Sequence, residues 1–235
     1  MTNNNTPHPE ETHKSQRGNW LRAAVLGVND GIVSTSSIML GLAAANADYK
    51  IILTTGIASL VAGAFSMAAG EFVSVASQKD SQHADIEIEK RALKNNPKGE
   101  LEELVAIYQA RGLDAHLARE VAVELHKNNA VEAHARDELG INSRMKVNPL
   151  QAASASAFAF AIGSLVPILT AALANKQHSA TIVVVVSLAA LAISGIVGAF
   201  VGGGNRVIAA SRVLIGGGIA MAVTYFIGHL VGVSL

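Results

Sequence analysis

The sequence predicts an all-α integral membrane protein with five transmembrane helices and a polar helical insert after the second. Half of the 235 residues are hydrophobic, only 15% are charged, and the mean hydropathy is positive, which is too apolar for an ordinary soluble domain. The apolar residues form stretches long enough to cross ~30 Å of hydrocarbon as helices. Most carboxylates, in contrast, lie between residues 79 and 146.

The predicted spans cover, in order, residues 21–45, 51–76, 150–174, 180–202 and 207–233. Residues 47–50 and 175–178 are short links that only reverse the chain direction. Pro167 should kink the third span, because proline removes a backbone donor and clashes one turn back. The glycine-rich break at 202–205 separates the last two spans. Small residues on the span faces favour a tight bundle or an oligomer.

The polar insert is predicted to be helical, with breaks at 95–99, at 112–114, near Asn128-Asn129 and at Gly140. Each helix carries one apolar stripe, so the insert should fold as a small domain of three or four short helices. No helix breaker separates its first helix from the second span. We therefore expect one long helix that leaves the membrane and continues into the insert.

The charge distribution predicts the topology. With a cytoplasmic N-terminus, all of the 18 Lys and Arg residues except Lys50 and Lys176 lie on the cytoplasmic side. The predicted organisation along the chain is a disordered cytoplasmic tail (1–18), transmembrane helices 1 and 2 (19–78), a cytoplasmic helical domain (79–149) and transmembrane helices 3 to 5 (150–235). The tail carries no evident signal peptide or sorting signal, which favours a bacterial inner membrane.

Composition also limits the partners and ligands. The formal net charge is zero, which argues against nucleic acid as a partner. Cysteine is absent, so any metal ligands must be oxygen, nitrogen or thioether sulfur. Membrane lipid is the expected surrounding of the spans.

Two carboxylates, Asp30 and Glu71, lie inside predicted spans. A charge near the membrane centre costs at least ~2.5 kcal/mol, so an intramembrane acid is a functional candidate. Asp30 is followed by the polar run 34–37, although it could also cap a helix broken at Gly31. Both acids point to movement of a cation.

Met67 precedes Glu71 by four residues, which places the two side chains on one helix face. A thioether beside a carboxylate suits a borderline transition ion such as Fe(II) better than Mg or Ca. The alternative is that Met67 only fills space in the core and that Glu71 lies at the cytoplasmic interface.

The insert contains carboxylate and histidine pairs at helical spacing. Each pair shares a face and could bind a metal with its neighbours: Glu100 with Glu103, His134 with Glu138, and Asp85 with Glu89. Taken singly, these charges could equally form solvated faces that pair with nearby arginines.

The motifs together resemble the vacuolar iron transporter family. The resemblance is carried by Asp30-Gly31, by the run 62–74 (AGAFSMAAGEFVS), by Ser77-Gln78-Lys79-Asp80, by Glu138-Leu139-Gly140 and by residues 212–228. It covers nearly everything after the tail.

The resemblance implies a five-span homodimer with an ion path at the dimer interface and no prosthetic group. It implies transport of Fe(II) or Mn(II) out of the cytoplasm in exchange for protons. The positions that match the family's functional residues are Asp30, Met67 and Glu71 in the path, and Glu89, Glu100, Glu103 and Glu138 in the metal-binding domain.

The chain departs from the family pattern at three places. Ser59 stands where many relatives carry an acid eight residues before the methionine, and Ala92 replaces an acid of the domain. His134 and Ala135 replace two methionines of plant relatives, and His134 keeps the ability to bind metal.

Two other classes of function are considered. A membrane-anchored iron oxidase would need paired Glu-x-x-His motifs, and the insert contains none. A metal sensor that recognises another protein remains an alternative. An ATP-driven pump is disfavoured, because the sequence has no phosphate-binding loop of the P-loop kind.

Overall fold

The computed structural model describes residues 18–141 and 148–234. Over these residues the chain forms helices and no strand. The helices are α1 (Gly18–Ala44), α2 (Tyr49–Asn95), α3 (Pro97–Ala110), α4 (Ala115–Asp137), α5 (Pro149–Leu173), α6 (Ser179–Gly202) and α7 (Arg206–Ser234), with a short 3-10 turn (Lys176–His178) before α6. Apart from Gly18, the predicted tail lies outside the described residues.

Five of these helices are long and apolar enough to cross a membrane: α1, α2, α5, α6 and α7. The prediction of an all-helical protein with five spans is therefore confirmed. Helix α2 is continuous over 47 residues, which corresponds to about 70 Å at 1.5 Å per residue. This confirms that the second span and the first helix of the insert form one helix.

The predicted breaks also lie where the helices end or bend. Gly112, Gly140 and Gly203 have φ angles of 98°, 66° and 80°, a left-handed conformation that glycine adopts without steric cost. Asn129 interrupts α4 with φ −161° and ψ 89°. Pro167 lies buried within α5, and the helix continues through it.

The chain divides into two compact units. The first, called the transmembrane unit here, comprises the described residues of Met1–Phe72 and Leu150–Leu235. The second, the polar unit, comprises the described residues of Val73–Pro149. Asp30, Met67 and Glu71 belong to the transmembrane unit, and all acids and histidines considered in the insert belong to the polar unit.

Close backbone contacts hold the transmembrane unit together. A Cβ added at Gly27 would lie 2.8 Å from the carbonyl oxygen of Ser156, and one added at Gly31 would overlap the backbone at Phe160. Ser164 Oγ donates a hydrogen bond to the Gly31 carbonyl over 3.3 Å. Helices α1 and α5 therefore touch along the Gly-x-x-x-Gly face of α1.

Helix α7 packs on α1 and α6 in the same way. Gly228 lies against the backbone of Gly41, and a Cβ on Gly195 would lie 2.9 Å from the Cα of Ala210. Helix α2 is tied to α5 by the Tyr49 hydroxyl, which donates to the Ala171 carbonyl over 2.7 Å. The contacts of α5 and α7 with α1 fix the position of α1, the helix that contains Asp30.

Candidate metal centre

The start of α3 is set by local sequence. The Asn96 side chain caps the helix by accepting a hydrogen bond from the Gly99 backbone N–H over 3.1 Å, and Pro97 occupies the first helical turn. Both are preferred at these positions, because the first backbone N–H groups of a helix lack partners within it. This cap places Glu100 in the first turn of α3.

An apolar core then fixes α3 against α4. Its buried members are Leu104, Val105, Tyr108, Ala118, Ala122 and Ala133. The alanines of α4 present a flat face, so the larger side chains of α3 approach it closely. His134 follows directly after one of these core residues and is itself fully buried.

Asp137 fastens the end of α4 to α3. Its carboxylate accepts hydrogen bonds from the Tyr108 hydroxyl over 2.6 Å and from Arg111 Nη1 over 2.7 Å. Arg136 donates to the same carboxylate over 2.6 Å. Burial alone would raise the pKa of Asp137, but the hydrogen bonds from Arg136, Tyr108 and Arg111 lower it well below its ordinary value.

Three helices bring Glu89, Glu100 and His134 together. One potential ligand atom from each residue lies within 4.8 Å of the others. Glu89 comes from the end of α2, Glu100 from the start of α3 and His134 from α4. Glu89 is 5% exposed, His134 is fully buried and Glu100 is half-buried. We refer to these three residues as the carboxylate-histidine centre.

His134 lies between two carboxylates. Its Nδ1 is 3.1 Å from Glu89 Oε1 and 3.1 Å from Glu138 Oε2. Only the Glu138 contact has hydrogen-bond geometry, and Glu89 Oε1 is buried without a hydrogen-bond partner among the described residues. A buried carboxylate oxygen without a donor is costly, so the centre is suited to a cation that would satisfy it.

The surroundings make Glu89 a weaker acid than usual. Its pKa is raised above the ordinary value, mainly by burial and further by the negative charges of Glu138, Glu100 and Glu103, while His134 opposes the rise. Glu89 lies beyond the apolar stretch 51–76 of α2. A divalent cation in the centre would offset the same repulsion, and protons would compete with it for Glu89.

The other acids of the insert lie around this centre or outside it. Glu138 contacts His134, and its side chain is 28% exposed. Glu103 is exposed and outside the three-residue group, although it acts on Glu89 through its charge. Asp85 is exposed. The exposed pair Arg119 and Glu102 bridges α4 and α3 over 2.5 Å, as expected of a solvated face.

The three residues of the expected transport path lie on α1 and α2. Asp30 is half-buried and accepts a hydrogen bond from Ser34 Oγ over 2.6 Å. Met67 and Glu71 are half-buried. Only 6% of the apolar window of α2 is buried within this chain. Neither Asp30 nor Glu71 belongs to a three-ligand group of the described residues.

His126 lies near His134 but outside the three-residue group. Its Nδ1 is buried and has no hydrogen-bond partner among the described residues. Its ring lies 6.1 Å from that of His134, centroid to centroid, with 77° between the planes. The sequence signal for this contact is the Asn128-Asn129 break, because a bend there changes which residues of α4 are neighbours.

The comparisons with known proteins identify the family of this chain. The family model described as the VIT family matches residues 21–229, so the chain belongs to the VIT family.

Its relatives carry the corresponding names. The chain is 46% identical to a protein named vacuolar iron transporter from Acanthamoeba castellanii, over 94% of this chain and 82% of the relative. It is 38% identical to vacuolar iron transporter homolog 2 of Arabidopsis thaliana, over 93% and 87%. It is 39% identical to vacuolar iron transporter homolog 2 of rice, over 91% and 92%. The resemblance stated from the sequence motifs is confirmed.

Proposed function

We propose that this chain is a carrier of divalent transition-metal ions that moves Fe(II) or Mn(II) out of the cytoplasm. The observation that carries the proposal is the carboxylate-histidine centre, in a chain whose relatives are named as iron transporters. The centre collects the ion, and the transmembrane unit moves it.

The donor set fits this cargo. Two carboxylates and one imidazole combine hard oxygen with borderline nitrogen, which suits Mn(II) and Fe(II), and the sequence offers no thiolate. Buried Glu89 and half-buried Glu100 repel each other without a cation, so an ion entering the centre removes that repulsion. Glu103 and Glu138, at the edge of the centre, add negative charge that attracts the ion from solution.

In the transmembrane unit, Met67, Glu71 and Asp30 form the path. Each acid binds the ion when deprotonated and takes up a proton after the ion has left. Metal and proton compete for the same oxygens, which couples outward metal movement to inward proton movement. Ser34 Oγ donates a hydrogen bond to the Asp30 carboxylate and orients it.

The path is completed by a second copy of the chain. Large apolar side chains of α2 are exposed within a single chain, among them Phe65 at 74% and Val61 at 48%. Such a face requires lipid or another helix against it, and a homodimer through α2 brings two paths together.

The N-terminus and the polar unit are cytoplasmic by the positive-inside rule. Residence in a bacterial inner membrane stays a prediction from the tail alone, and the relatives named above come from an amoeba and from plants.

The test is ion uptake by proteoliposomes that contain a pH-sensitive dye. The wild type should carry Fe(II) and Mn(II) with opposite proton movement, and Asp30→Asn should lose at least about 10-fold in rate, which corresponds to about 1.4 kcal/mol of barrier. Asp48→Asn is the control, because Asp48 is exposed in the link between α1 and α2.

Full metal flux by Asp30→Asn would contradict the proposed path. Metal binding without any flux in the wild type would contradict the carrier and favour the sensor. Metal flux without proton movement would support the proposal of a metal carrier and contradict its coupling to protons.

A further inference from the structure

We propose that a groove between α1, α5 and α6 binds one anionic phospholipid, with an acyl chain in the groove and the phosphate at Arg206. This inference goes beyond the proposed function and does not depend on metal transport. It requires only that the five long apolar helices span a membrane.

The groove forms where α5 and α6 separate. Near the link between these two helices, Ala171 of α5 and Val183 of α6 are buried in the same apolar cluster. Further from the link, an open groove with a volume of about 420 Å³ lies between them, and α1 forms its floor. This volume falls within the ~300–1,000 Å³ of pockets that bind small ligands.

The lining of the groove suits an apolar ligand. Ile32 of α1, which is 1% exposed, belongs to the floor. The walls carry exposed Ile162 on α5 and exposed Ile193 and Val197 on α6. Of the described residues that line the groove, only Ser194 has a polar side chain. Burial of the exposed wall by a hydrocarbon chain is therefore favourable packing without any unsatisfied polar group on the chain.

The length and position of the groove match one leaflet of a bilayer. Its lining extends from Ala24 to Ile32 on α1, which is about 12 Å at 1.5 Å per residue. One leaflet contributes roughly 15 Å to the ~30 Å of hydrocarbon. The groove lies on the side where α1 begins and α6 ends. A lipid of that leaflet can therefore lay its acyl chain along the groove.

A cation lies beyond the end of the groove that is nearest this membrane surface. Ile193, Val197 and Phe200 are spaced i, i+4 and i+7, so the Phe200 ring continues the α6 wall. The guanidinium carbon of Arg206 lies 4.8 Å from the centroid of this ring, a cation–π contact that holds the charge there. Arg206 is exposed, and no described carboxylate pairs with it.

The two parts of the site together select the ligand. A guanidinium matches a phosphate group through its fork of N–H donors, and an arginine at the membrane surface attracts anionic lipid. The apolar groove takes the attached acyl chain. A sterol would leave the cation without an anion, and a free phosphate would leave the groove empty.

The groove is separate from the proposed dimer face and from the ion path. All of the described residues that line it belong to α1, α5 and α6, and none belongs to α2. Val28 and Ile32 line the groove and are each two residues from Asp30, which is about 200° around the helix. A bound lipid therefore supports α1 from the side opposite Asp30.

The experiment is native mass spectrometry of the full-length protein in detergent, with phosphatidylglycerol or phosphatidylcholine added at equal concentration. We expect one phosphatidylglycerol to be retained per chain and phosphatidylcholine to be retained about 5-fold less, as one arginine near the lipid predicts. Arg206→Gln should lower retention of phosphatidylglycerol to the level of phosphatidylcholine. Arg212→Gln is the control, because exposed Arg212 lies about 240° around α7 from Arg206.

A second pair of variants tests the groove itself. Val197→Trp fills the groove with an indole ring and should abolish retention of both lipids. Val185→Trp is the matched control, because Val185 is 61% exposed on the same helix, Val197 is 52% exposed, and Val185 lies outside the groove. Both valines are exposed, so thermal unfolding of the two variants should stay unchanged.

Wild-type retention of phosphatidylglycerol by Arg206→Gln or by Val197→Trp would overturn the proposal. Equal retention of the two lipids by the wild type would also overturn it, because the site would then accept any acyl chain. A wild type that retains no lipid would overturn it as well; if Val197→Trp then splits a dimer, the groove belongs to a second copy of the chain. Each of these results leaves the proposed metal carrier standing, and absence of metal flux would leave the lipid site standing.

Discussion

Different forces stabilise the interior of each of the two units of this protein. In the transmembrane unit the helices meet through glycine and small residues, because lipid tails give no hydrophobic force between helices and close backbone contact supplies the attraction instead. In the polar unit a side-chain core excludes water. Buried Asp137 is compensated by three donors, whereas buried Glu89 keeps one carboxylate oxygen without a hydrogen-bond partner among the described residues. The two units should therefore fail under different substitutions.

The largest effect is expected at a backbone contact of the transmembrane unit. Gly31→Ala places a methyl group against the backbone of Phe160 and Ser164, which cannot retreat without separating α1 from α5. We expect the free energy of unfolding to fall by about 3 kcal/mol, the upper end of the range for an overpacked core. The measurement is the amount of folded protein recovered after detergent extraction.

Gly70→Ala is the matched control, because nothing lies within 4 Å of a Cβ at this position. Alanine should be neutral or slightly stabilising there, since glycine costs roughly 1 kcal/mol in a helix. Equal loss of both variants would show that the contact with α5 does not account for the loss in Gly31→Ala.

The next effect concerns metal binding by the polar unit. Glu89→Gln removes a buried carboxylate from the centre, and we expect Mn(II) affinity to fall about 100-fold, at least as much as when a partner of a metal ligand is removed. Glu87→Gln is the control, since Glu87 is 46% exposed and pairs with Lys90. Similar calorimetric affinities for the two variants would exclude Glu89 as a ligand.

Stability of the polar unit should depend on Asp137. Asp137→Asn removes the negative charge and replaces one of the two accepting oxygens by an amide N–H₂, which faces a donor instead of accepting from it. We expect the free energy of unfolding to fall by about 1–3 kcal/mol in thermal or urea unfolding. Glu102→Gln removes an exposed pair between the same two helices and should cost no more than about 1 kcal/mol.

The pH dependence of this contribution has a definite sign. The pKa of Asp137 is lowered in the folded state, so its contribution is fully present above the ordinary value of 3.8 and is lost as the pH falls through the folded pKa. In Asp137→Asn, the free energy of unfolding should therefore decrease less steeply as the pH falls. An unchanged dependence on acidic pH would show that ionisation of Asp137 does not contribute to folding stability.

Metal binding should also weaken as the pH falls, but through a carboxylate whose pKa is raised instead of lowered. Because the pKa of Glu89 is raised above 4.5, protons displace metal from the centre at a higher pH than an ordinary glutamate would allow. Mn(II) affinity should thus begin to fall at a higher pH than it would with an ordinary acid at this position. In Glu89→Asp the fall should move to lower pH, because the ordinary pKa of aspartate lies below that of glutamate.

The smallest effect is expected at Met67. Met67→Leu keeps the volume and removes the sulfur, so metal flux should drop a few-fold, by up to the ~1.4 kcal/mol of a tenfold change, with binding to the polar unit unaltered. Met39→Leu is the control, because Met39 lies buried against Gly56. Equal flux in the two variants would leave Met67 as a packing residue.

The fold was accessible from sequence because its determinants are local. Apolar length gives the five helices, and Asn96, Gly112, Asn129 and Gly203 end or bend helices by conformational preferences of their own. Glu89 and Glu100 were named from motif resemblance. Which of the acids approach one another depends on tertiary packing, and spacing alone paired Glu100 with exposed Glu103.

The angle of the bend at Asn129 could not be predicted from local sequence. Sequence indicated a break near Asn128-Asn129, but a break does not specify an angle. The angle decides that His126 reaches His134, and Asp137 reaches Tyr108 and Arg111 by a similar long-range contact.

The central claim is that the polar unit collects the metal and the transmembrane unit moves it. The most direct test measures Mn(II) binding and Mn(II) flux side by side for Glu89→Gln and Asp30→Asn. The account predicts that Glu89→Gln weakens calorimetric Mn(II) binding about 100-fold and keeps flux at high Mn(II). Asp30→Asn should bind Mn(II) normally and carry it at least about 10-fold more slowly. Loss of flux in Glu89→Gln at saturating Mn(II), together with full flux in Asp30→Asn, would contradict it.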